Sequence, residues 1–523
     1  MMRPAALACL FAALLLPLVV AAKTLRWSSQ GDVSTMDPHS FNEALNNNIS
    51  LLIYEPLVYR DKQFKIDPEL AIAWSQPSPT LWRFELRPGV RFHDGTPFTA
   101  EDVVFSIERA QAPNSGYKAE TAGIAGVRKT GELTVEITTA GPNPVLLQQL
   151  TNLRIMSKEW AEKHGVTKPQ SFKDKEETFA VRNTNGTGPY MLKVREADVK
   201  TVLVENPDWW RKRDGNVTEM VYLPIKSAAT RVAALLSGEL DFVLDPPPQD
   251  LDRLLTTPGI QVVEGPEFRV IYLGLDQFRD ELLYSNVKGK NPFKDLRVRQ
   301  AIYQAIDIEA IRAKVMRGQS VPVAVLVGRG VAGYSAAVDK RPPLDREKAR
   351  TLLAEAGYPD GFEVTLDCPN NRYINDEQIC QAVSAMLAQI GVTARLNAMP
   401  RAPFFAKLDK RDTSFYLMGW TPPTYDALNV LQVHAHTPGS GGDGDYNRGG
   451  YSNPKLDGII DQIKVELDHT KRNALIAEAL AIVNADVGYV PLHQQIIPWA
   501  MRAGMKVVHH PSNQLIVHWV EMP

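Results

Sequence analysis

Apolar and polar positions alternate along Trp82-Arg-Phe-Glu-Leu86, the period of a half-buried strand. A second short strand, Val90-Arg-Phe92, runs into an Asp94-Gly95 turn. The period then changes. Thr99-Ala-Glu-Asp102 has capping-box spacing, and Val103, Val104, Ile107 and Ala110 follow at the 3.6-residue repeat of a helix. Further strands are expected from Gly188-Pro-Tyr190 through Thr201-Val-Leu-Val204, at Asp241-Phe-Val-Leu244 and at Phe362-Glu-Val-Thr-Leu366. Between them the pattern predicts helices over Ala228–Ser237, Arg297–Ile306, Arg346–Ala356 and Asp376–Ile390. Gly238, Gly357 and Gly391 follow as left-handed stops. Strands alternating with helices in this way imply α/β lobes rather than a sandwich or a bundle. No repeat and no long low-complexity linker interrupts the chain. Pro246-Pro-Pro248 and Gly439-Ser-Gly-Gly442 are its main irregular stretches.

The opening residues follow a different pattern. Arg3 is the only charge before Lys23, and Ala5–Val20 is almost wholly apolar, ending in Val20-Ala21-Ala22. This order predicts a secretory signal at residues 1–22, cut after Ala22. The alternative is a membrane anchor, for which the run is short. Cys9 precedes the apolar run rather than following it, which argues against lipidation.

Composition narrows the function. Lys+Arg total 58 and Asp+Glu 60, a net charge of −2, so no basic excess exists to hold a phosphate backbone and no nucleic-acid partner is expected. Hydrophobic residues at 44% and charged residues at 23% exclude disorder. Beyond the leader the cysteines are Cys368 and Cys380. In an exported protein this close pair points to a disulfide stiffening the loop that carries Arg372 and Tyr373; two buried thiols or a metal site are the alternatives.

Enzymatic motifs are scarce. There is no HExxH, GxSxG or GxxxxGK[ST]. Gly439-x-Gly441-x-x-Gly444 follows Thr437-Pro438 rather than a strand, so it reads as a surface loop and not a dinucleotide site. Asp443, Asp445 and Asn447 resemble the start of a calcium loop, but Arg448 and Pro454 stand where Gly and Glu are needed. His434 and His436 could share a strand face without any apparent third metal ligand, and His509-His510 reads the same way. No metal, cofactor or catalysis is expected.

The segment Leu86-Arg-Pro-Gly-Val-Arg-Phe-His-Asp-Gly-Thr-Pro-Phe-Thr-Ala-Glu-Asp-Val-Val-Phe105 resembles the signature of the extracytoplasmic solute-binding proteins of ABC importers, peptide/nickel (family 5) group. Further matches follow in the family's order. They include Thr187-Gly-Pro-Tyr190, Asn206-Pro-Asp-Trp209, Arg231 through Leu235-Leu-Ser-Gly-Glu239, and Asp295-Leu-Arg-Val-Arg-Gln-Ala-Ile302 with Ala305-Ile-Asp307. Ala354-Glu-Ala-Gly-Tyr358, Gly419-Trp420 and Tyr451-Ser-Asn-Pro454 complete the series. The resemblance implies an α/β, two-lobed periplasmic-binding-protein-like fold with a hinge and an extra domain inserted in the first lobe. The first lobe would comprise 23–60, 182–268 and 498–523, the inserted domain 61–181 and the second lobe 269–497. The chain would cross near Arg269–Leu275 and return near Gln495–Met501. It further implies a monomeric periplasmic carrier, not an enzyme, that hands a small solute to inner-membrane permease and ATPase subunits. A peptide is the leading solute and an opine or sugar-linked compound the alternative. A secreted hydrolase, and a chaperone or signalling receptor, are more distant readings of the same scaffold.

Three segments are candidates for the solute cleft. Asn42 and Glu43 lie where peptide-binding relatives pair backbone with their ligand; helix capping is the competing role. Arg372 and Tyr373 sit on the cysteine-bounded loop, and an arginine there suits a carboxylate. Trp420, Tyr425 and Asp426 follow the strand ending at Gly419. Many peptide binders place an amine-holding aspartate three positions after this Trp, where this chain has Pro423, so Asp426 is the nearest substitute. The helix arginine that dipeptide binders aim at the carboxylate is replaced by Glu377. Asn447 and Tyr451 could close over the solute, with loop capping as the competing role. Leu86–Phe105 is turn and cap chemistry, hence scaffold, and Trp209 and Trp210 read as core.

Overall fold

The computed structural model describes residues 23–121, 123–440 and 442–523, so the expected leader at 1–22 lies outside the described residues. Two long antiparallel strands organise it, Ile260–Leu275 and Val490–Arg502. Their register breaks between Pro266 and Val270, where proline supplies no ladder donor. On one side of the break Val490–Arg502 pairs with Phe242–Leu244, which continues through Thr24–Ser28, Glu219–Tyr222, Lys200–Glu205 and Tyr190–Glu196. On the other side Ile260–Leu275 pairs with Phe415–Trp420, followed by the parallel strands Phe362–Pro369 and Val392–Met399. One sheet therefore serves two lobes, each with its own core. Trp27, Tyr222, Phe242 and Trp499 are buried in the first, and Phe293, Ile302, Leu366 and Val383 in the second.

A separate four-stranded antiparallel sheet, Ala71–Ser78, Leu81–Leu86, Thr134–Thr139 and Ile124–Gly131, carries the extra domain. Its Phe84, Val135 and Ile137 pack under Val103 and Ile107 of helix Ala100–Gln111. That helix has the expected Thr99–Asp102 capping box. The expected strand Val90–Phe92 is not formed. Only an isolated bridge, Arg91 to Pro97, survives there, because the segment folds as a tight turn back to Phe98. The helices over Ala228–Ser237, Leu296–Ala305, Arg346–Glu355 and Asp376–Ala388 lie where the pattern put them, within one or two residues at their ends. No helix among the described residues is long and apolar enough to cross a membrane.

Two buried features hold the parts in place. Arg109 of the extra domain reaches Asp37 of the first lobe with both guanidinium nitrogens, at 2.7 and 2.6 Å, and neither side chain is solvent-exposed. Across the break, buried Gln494 donates to the carbonyls of Glu267 and Arg329 at 2.9 and 3.0 Å. The two cysteines form a disulfide, Cys368–Cys380, joining strand Phe362–Pro369 to helix Asp376–Ala388 around the Arg372–Tyr373 loop.

The lobes are closed on one another. Glu43 pairs with Arg401 at 3.5 Å. Gln30 donates to the Asn371 carbonyl at 3.2 Å, and Gln249 to Asn375 Oδ1 at 3.1 Å. Asn152 and Arg60 donate to the carbonyls of Pro423 and Thr424 at 2.7 and 3.1 Å.

Candidate functional site

Three cavities lie along this closed seam. The largest, about 410 Å³, separates the extra domain from the second lobe. Glu120, Asn143 and Gln149 face it from one side, and Asn429, Gln432 and Tyr446 from the other. A second cavity of about 180 Å³ lies beside the register break, lined by Arg231, Asp245, Arg269, Arg372 and Tyr373. A third, about 80 Å³, is lined by Arg60, Arg154, Tyr425, Glu55, Glu69 and His518.

Local sequence explains how these walls are built. Gly116 packs directly against the backbone of Ser40 and Asn42: a Cβ there would lie 2.8 Å from the Ser40 carbonyl oxygen and 2.9 Å from the Asn42 nitrogen. This close approach sets Tyr117 and Glu120 beside the first-lobe segment. Asn42 then donates to Glu120 Oε1 at 2.8 Å and accepts from Asn47 Nδ2 at 2.8 Å. Gly419 plays the same part in the second lobe. Any Cβ on it would strike Ile271 and the Tyr373 ring, and Tyr373 donates its hydroxyl to the Gly419 carbonyl at 3.1 Å. The Arg372–Tyr373 loop is thereby tied to the strand end that presents Trp420.

Trp420 is half-buried. Its indole donates to Asn429 Oδ1 at 2.9 Å, and its ring meets Tyr446 at 4.5 Å and His434 at 4.7 Å. It backs two residues that line the largest cavity. Tyr425 faces the smallest one, its backbone left-handed at φ 54°, its ring against Phe64 and Phe268 and under the Arg60 guanidinium at 4.8 Å. Arg372 lines the hinge-side cavity with no ion-pair partner among the described residues. Burial, reinforced by Arg269, depresses its pKa.

The remaining sequence candidates serve the scaffold. Asp426, the expected stand-in for an acid at the Pro423 position, is buried and spent. It caps helix Ala427–Val430 through Leu428 N and takes both guanidinium nitrogens of Arg472, at 2.9 and 2.6 Å. Asn447 is fully buried; it donates to the His436 and Tyr451 carbonyls and accepts from Tyr451 N, which makes it a loop clamp. Tyr451 is buried in the second lobe with its hydroxyl on Asp486 at 2.7 Å. Glu43 caps helix Ala44–Ser50 through Leu45 N and Asn46 N while holding Arg401. Asn42 has both ends of its amide occupied, so it positions Glu120 rather than facing the cavity itself. Trp209 and Trp210 are half-buried rather than core, because their indoles donate to buried Glu55 at 2.8 and 2.9 Å.

The histidine pair also differs from expectation. His434 sits in a helical turn, Leu431–Ala435, not on a strand; it is fully buried, and desolvation lowers its pKa to about 3. His436 does gain further potential ligands, because the fold brings Asp443 and Asp461 to it, at 3.8 and 3.6 Å from its Nε2. The Lys464 ammonium lies 2.7 Å from Asp443 and 2.8 Å from Asp461, supplying the positive charge at that place.

Residues invisible to sequence reasoning line the seam. Arg154 is buried and Arg60 half-buried, both with pKa values lowered by desolvation, and neither has an ion-pair partner among the described residues. They donate instead to carbonyls, Arg154 to Thr151 at 2.9 Å and Arg60 to Phe64 and Thr424. Glu120 is only 4% exposed, and burial raises its pKa to about 7. Its Oε2 has no hydrogen-bond partner among the described residues. No local motif marks any of them; each becomes chemically significant only through the surface brought opposite it.

Comparison with known proteins places this architecture. Residues 65–442 match the family model described as bacterial extracellular solute-binding proteins, family 5 Middle. The glutathione-binding protein GsiB of Salmonella typhimurium is 27% identical over 486 residues, 90% of this chain and 89% of that protein. Heme-binding protein A of Haemophilus influenzae is 27% identical over 86% of this chain and 83% of its own length. Among solved structures, the periplasmic binding protein DppA of Helicobacter pylori, in complex with the peptide STSA, superposes with a TM-score of 0.80. It shares 23% identity and covers 95% of this chain and 97% of its own. AgaA of A. tumefaciens R10, in complex with agropinic acid, gives a TM-score of 0.78 at 24% identity, covering 95% and 96%. The two lobes, their shared sheet and the matched residues identify the chain as a member of the bacterial extracellular solute-binding proteins, family 5.

Proposed function

We propose that the protein is the solute-binding component of an ABC import system, capturing a peptide or peptide-like solute between its lobes and delivering it to a membrane permease driven by ATPase subunits. We place the hinge at the register break and the lobe boundaries at 60/61, 181/182, 268/269 and 497/498, with residues 1–22 removed on export and the mature carrier monomeric in the periplasm. The carrying observation is the closed seam: cavities bounded by both lobes, with three desolvated arginines, Arg60, Arg154 and Arg372, lacking ion-pair partners among the described residues. A buried guanidinium without a counter-charge is costly, and a carboxylate-bearing solute removes that cost on closure. The solute then shifts the population toward the closed state because it contacts both walls only there. More than one unpaired arginine also supports the second reading, an opine or another solute with several carboxylates. The relatives are consistent with either, since their names and complexes include glutathione, a tetrapeptide and agropinic acid.

Mass spectrometry of denatured, freshly purified protein, followed by a thermal-shift screen of peptides and opines, tests this reading. A retained or stabilising solute bearing at least one carboxylate is expected. Turnover of a substrate with no stabilising solute in either class would overturn it. Trp420→Ala should weaken binding of the identified solute by about 1–3 kcal/mol while the protein still folds; unchanged affinity by calorimetry would exclude the Trp420 side of the seam.

A further inference from the structure

We propose that Glu120 is the anchor for a protonated amine of the solute, so that the cleft selects solutes carrying an ammonium group as well as a carboxylate. This rests on the solute-binding reading above and narrows its substrate class. The second-lobe acids nearest the seam are already engaged. Asp426 is bound to Arg472, Asp443 is held by Lys464, and Pro423 occupies the position at which the resemblance places an amine-holding aspartate.

Glu120 is different in three respects. It lines the largest cavity, opposite Tyr446 and Asn429. It is held in a fixed place: Asn42 donates to one oxygen, Asn47 holds Asn42, and the Tyr117 hydroxyl donates to Asn47. Its other oxygen, Oε2, is buried and has no partner among the described residues. No described cation answers it, since the nearby Lys118 ammonium is bound to the Pro113 carbonyl at 3.0 Å and Lys464 to Asp443 and Asp461. A buried acid with one free oxygen and no counter-ion is a group prepared for an incoming cation. Burial also favours its neutral form before loading. On loading, the carboxylic acid gives its proton to bulk water, and the solute's ammonium donates an N–H to the resulting carboxylate. The solute keeps its charge and one proton is released.

The test uses wild type, E120Q and D445N, because Asp445 also lines this cavity and has no ion pair among the described residues. The probes are the peptides Ser-Thr-Ser-Ala and Met-Leu, each free and N-acetylated, and methylammonium against tetramethylammonium chloride at equal ionic strength. The expected result is a preference for the free-amine peptide of about tenfold or more in wild type, lost in E120Q and retained in D445N. Calorimetry at about pH 7 in phosphate and in Tris should show buffer-dependent heats in wild type, reporting proton release, and none in E120Q. Equal affinity for acetylated and free peptides, or loss of the preference in D445N instead, overturns the proposal. If no peptide binds, thermal protection by methylammonium in wild type and not in E120Q would sustain the anchor while removing the peptide reading. Absence of that protection would overturn the anchor itself.

Discussion

Among the described residues Glu120 has no salt bridge, and its chemistry is set chiefly by burial. Its carboxyl moves from an ordinary 4.5 to about 7, chiefly by desolvation, opposed only by the Asn42 amide and a backbone donor. At low pH the acid is neutral in both folded and unfolded chains. As pH rises from 4.5 toward 7, the unfolded chain ionises freely and the folded one resists. Stability associated with this group is therefore fully present below 4.5 and lost as pH rises through about 7. Without bound solute, thermal unfolding of wild type should fall relative to E120Q by about 3 kcal/mol between about pH 5 and pH 8. Parallel pH profiles for the two proteins would show that the residue is not buried as an acid. Arginines behave in the opposite sense: Arg60, Arg154 and Arg372 stay charged through this range and keep the demand for an anion constant.

Short elements at the seam depend on long-range partners. Helix Ala427–Val430 is too short to be stable on its own. It is held by Asp426, which caps it and reaches Arg472 on helix His469–Ala485, both side chains almost completely buried. Asp426→Asn should therefore leave an unpaired buried guanidinium and cost about 3–5 kcal/mol in denaturant unfolding. A loss of solute affinity with unchanged stability would instead return Asp426 to the binding site. The Cys368–Cys380 bridge closes a short loop, its cysteines 12 positions apart. The paired Cys→Ser variant should lose about 2–3 kcal/mol of stability, read as a lower unfolding midpoint, and loosen the loop that bears Arg372.

For the whole molecule the decisive quantity is the balance between open and closed lobes. The seam combines polar contacts with apolar ones such as Phe64 on Tyr425, and the Glu43–Arg401 pair is partly exposed, so it is worth at most about 1 kcal/mol. Arg401→Ala should raise the open population in solute-free protein, seen as a larger radius of gyration by X-ray scattering. Solute affinity should weaken by no more than about fivefold. A much larger loss would mean that Arg401 touches the solute rather than the opposite lobe.

Much of this architecture could be read along the chain. The strand and helix periods, the Thr99 capping box, the glycine stops and the family-like motifs depend on neighbours within a few residues, and the structure agrees with them there. The Val90–Phe92 strand failed because its local alternation lost to the turn that returns to Phe98. Trp420 and Arg372 could be singled out as candidates because each stands beside a marked feature, a Gly-Trp strand end and a cysteine-bounded loop. The buried partners of Asp426, Asn447 and Tyr451 were not legible, because a polar residue in a loop has the same local pattern whether it faces a cleft or a buried partner. Sequence alone determined the element types, the α/β class and the absence of common catalytic motifs. Only the tertiary structure decided which charges are left unpaired across the closed seam, because desolvation and partner distance are set by residues tens to hundreds of positions apart.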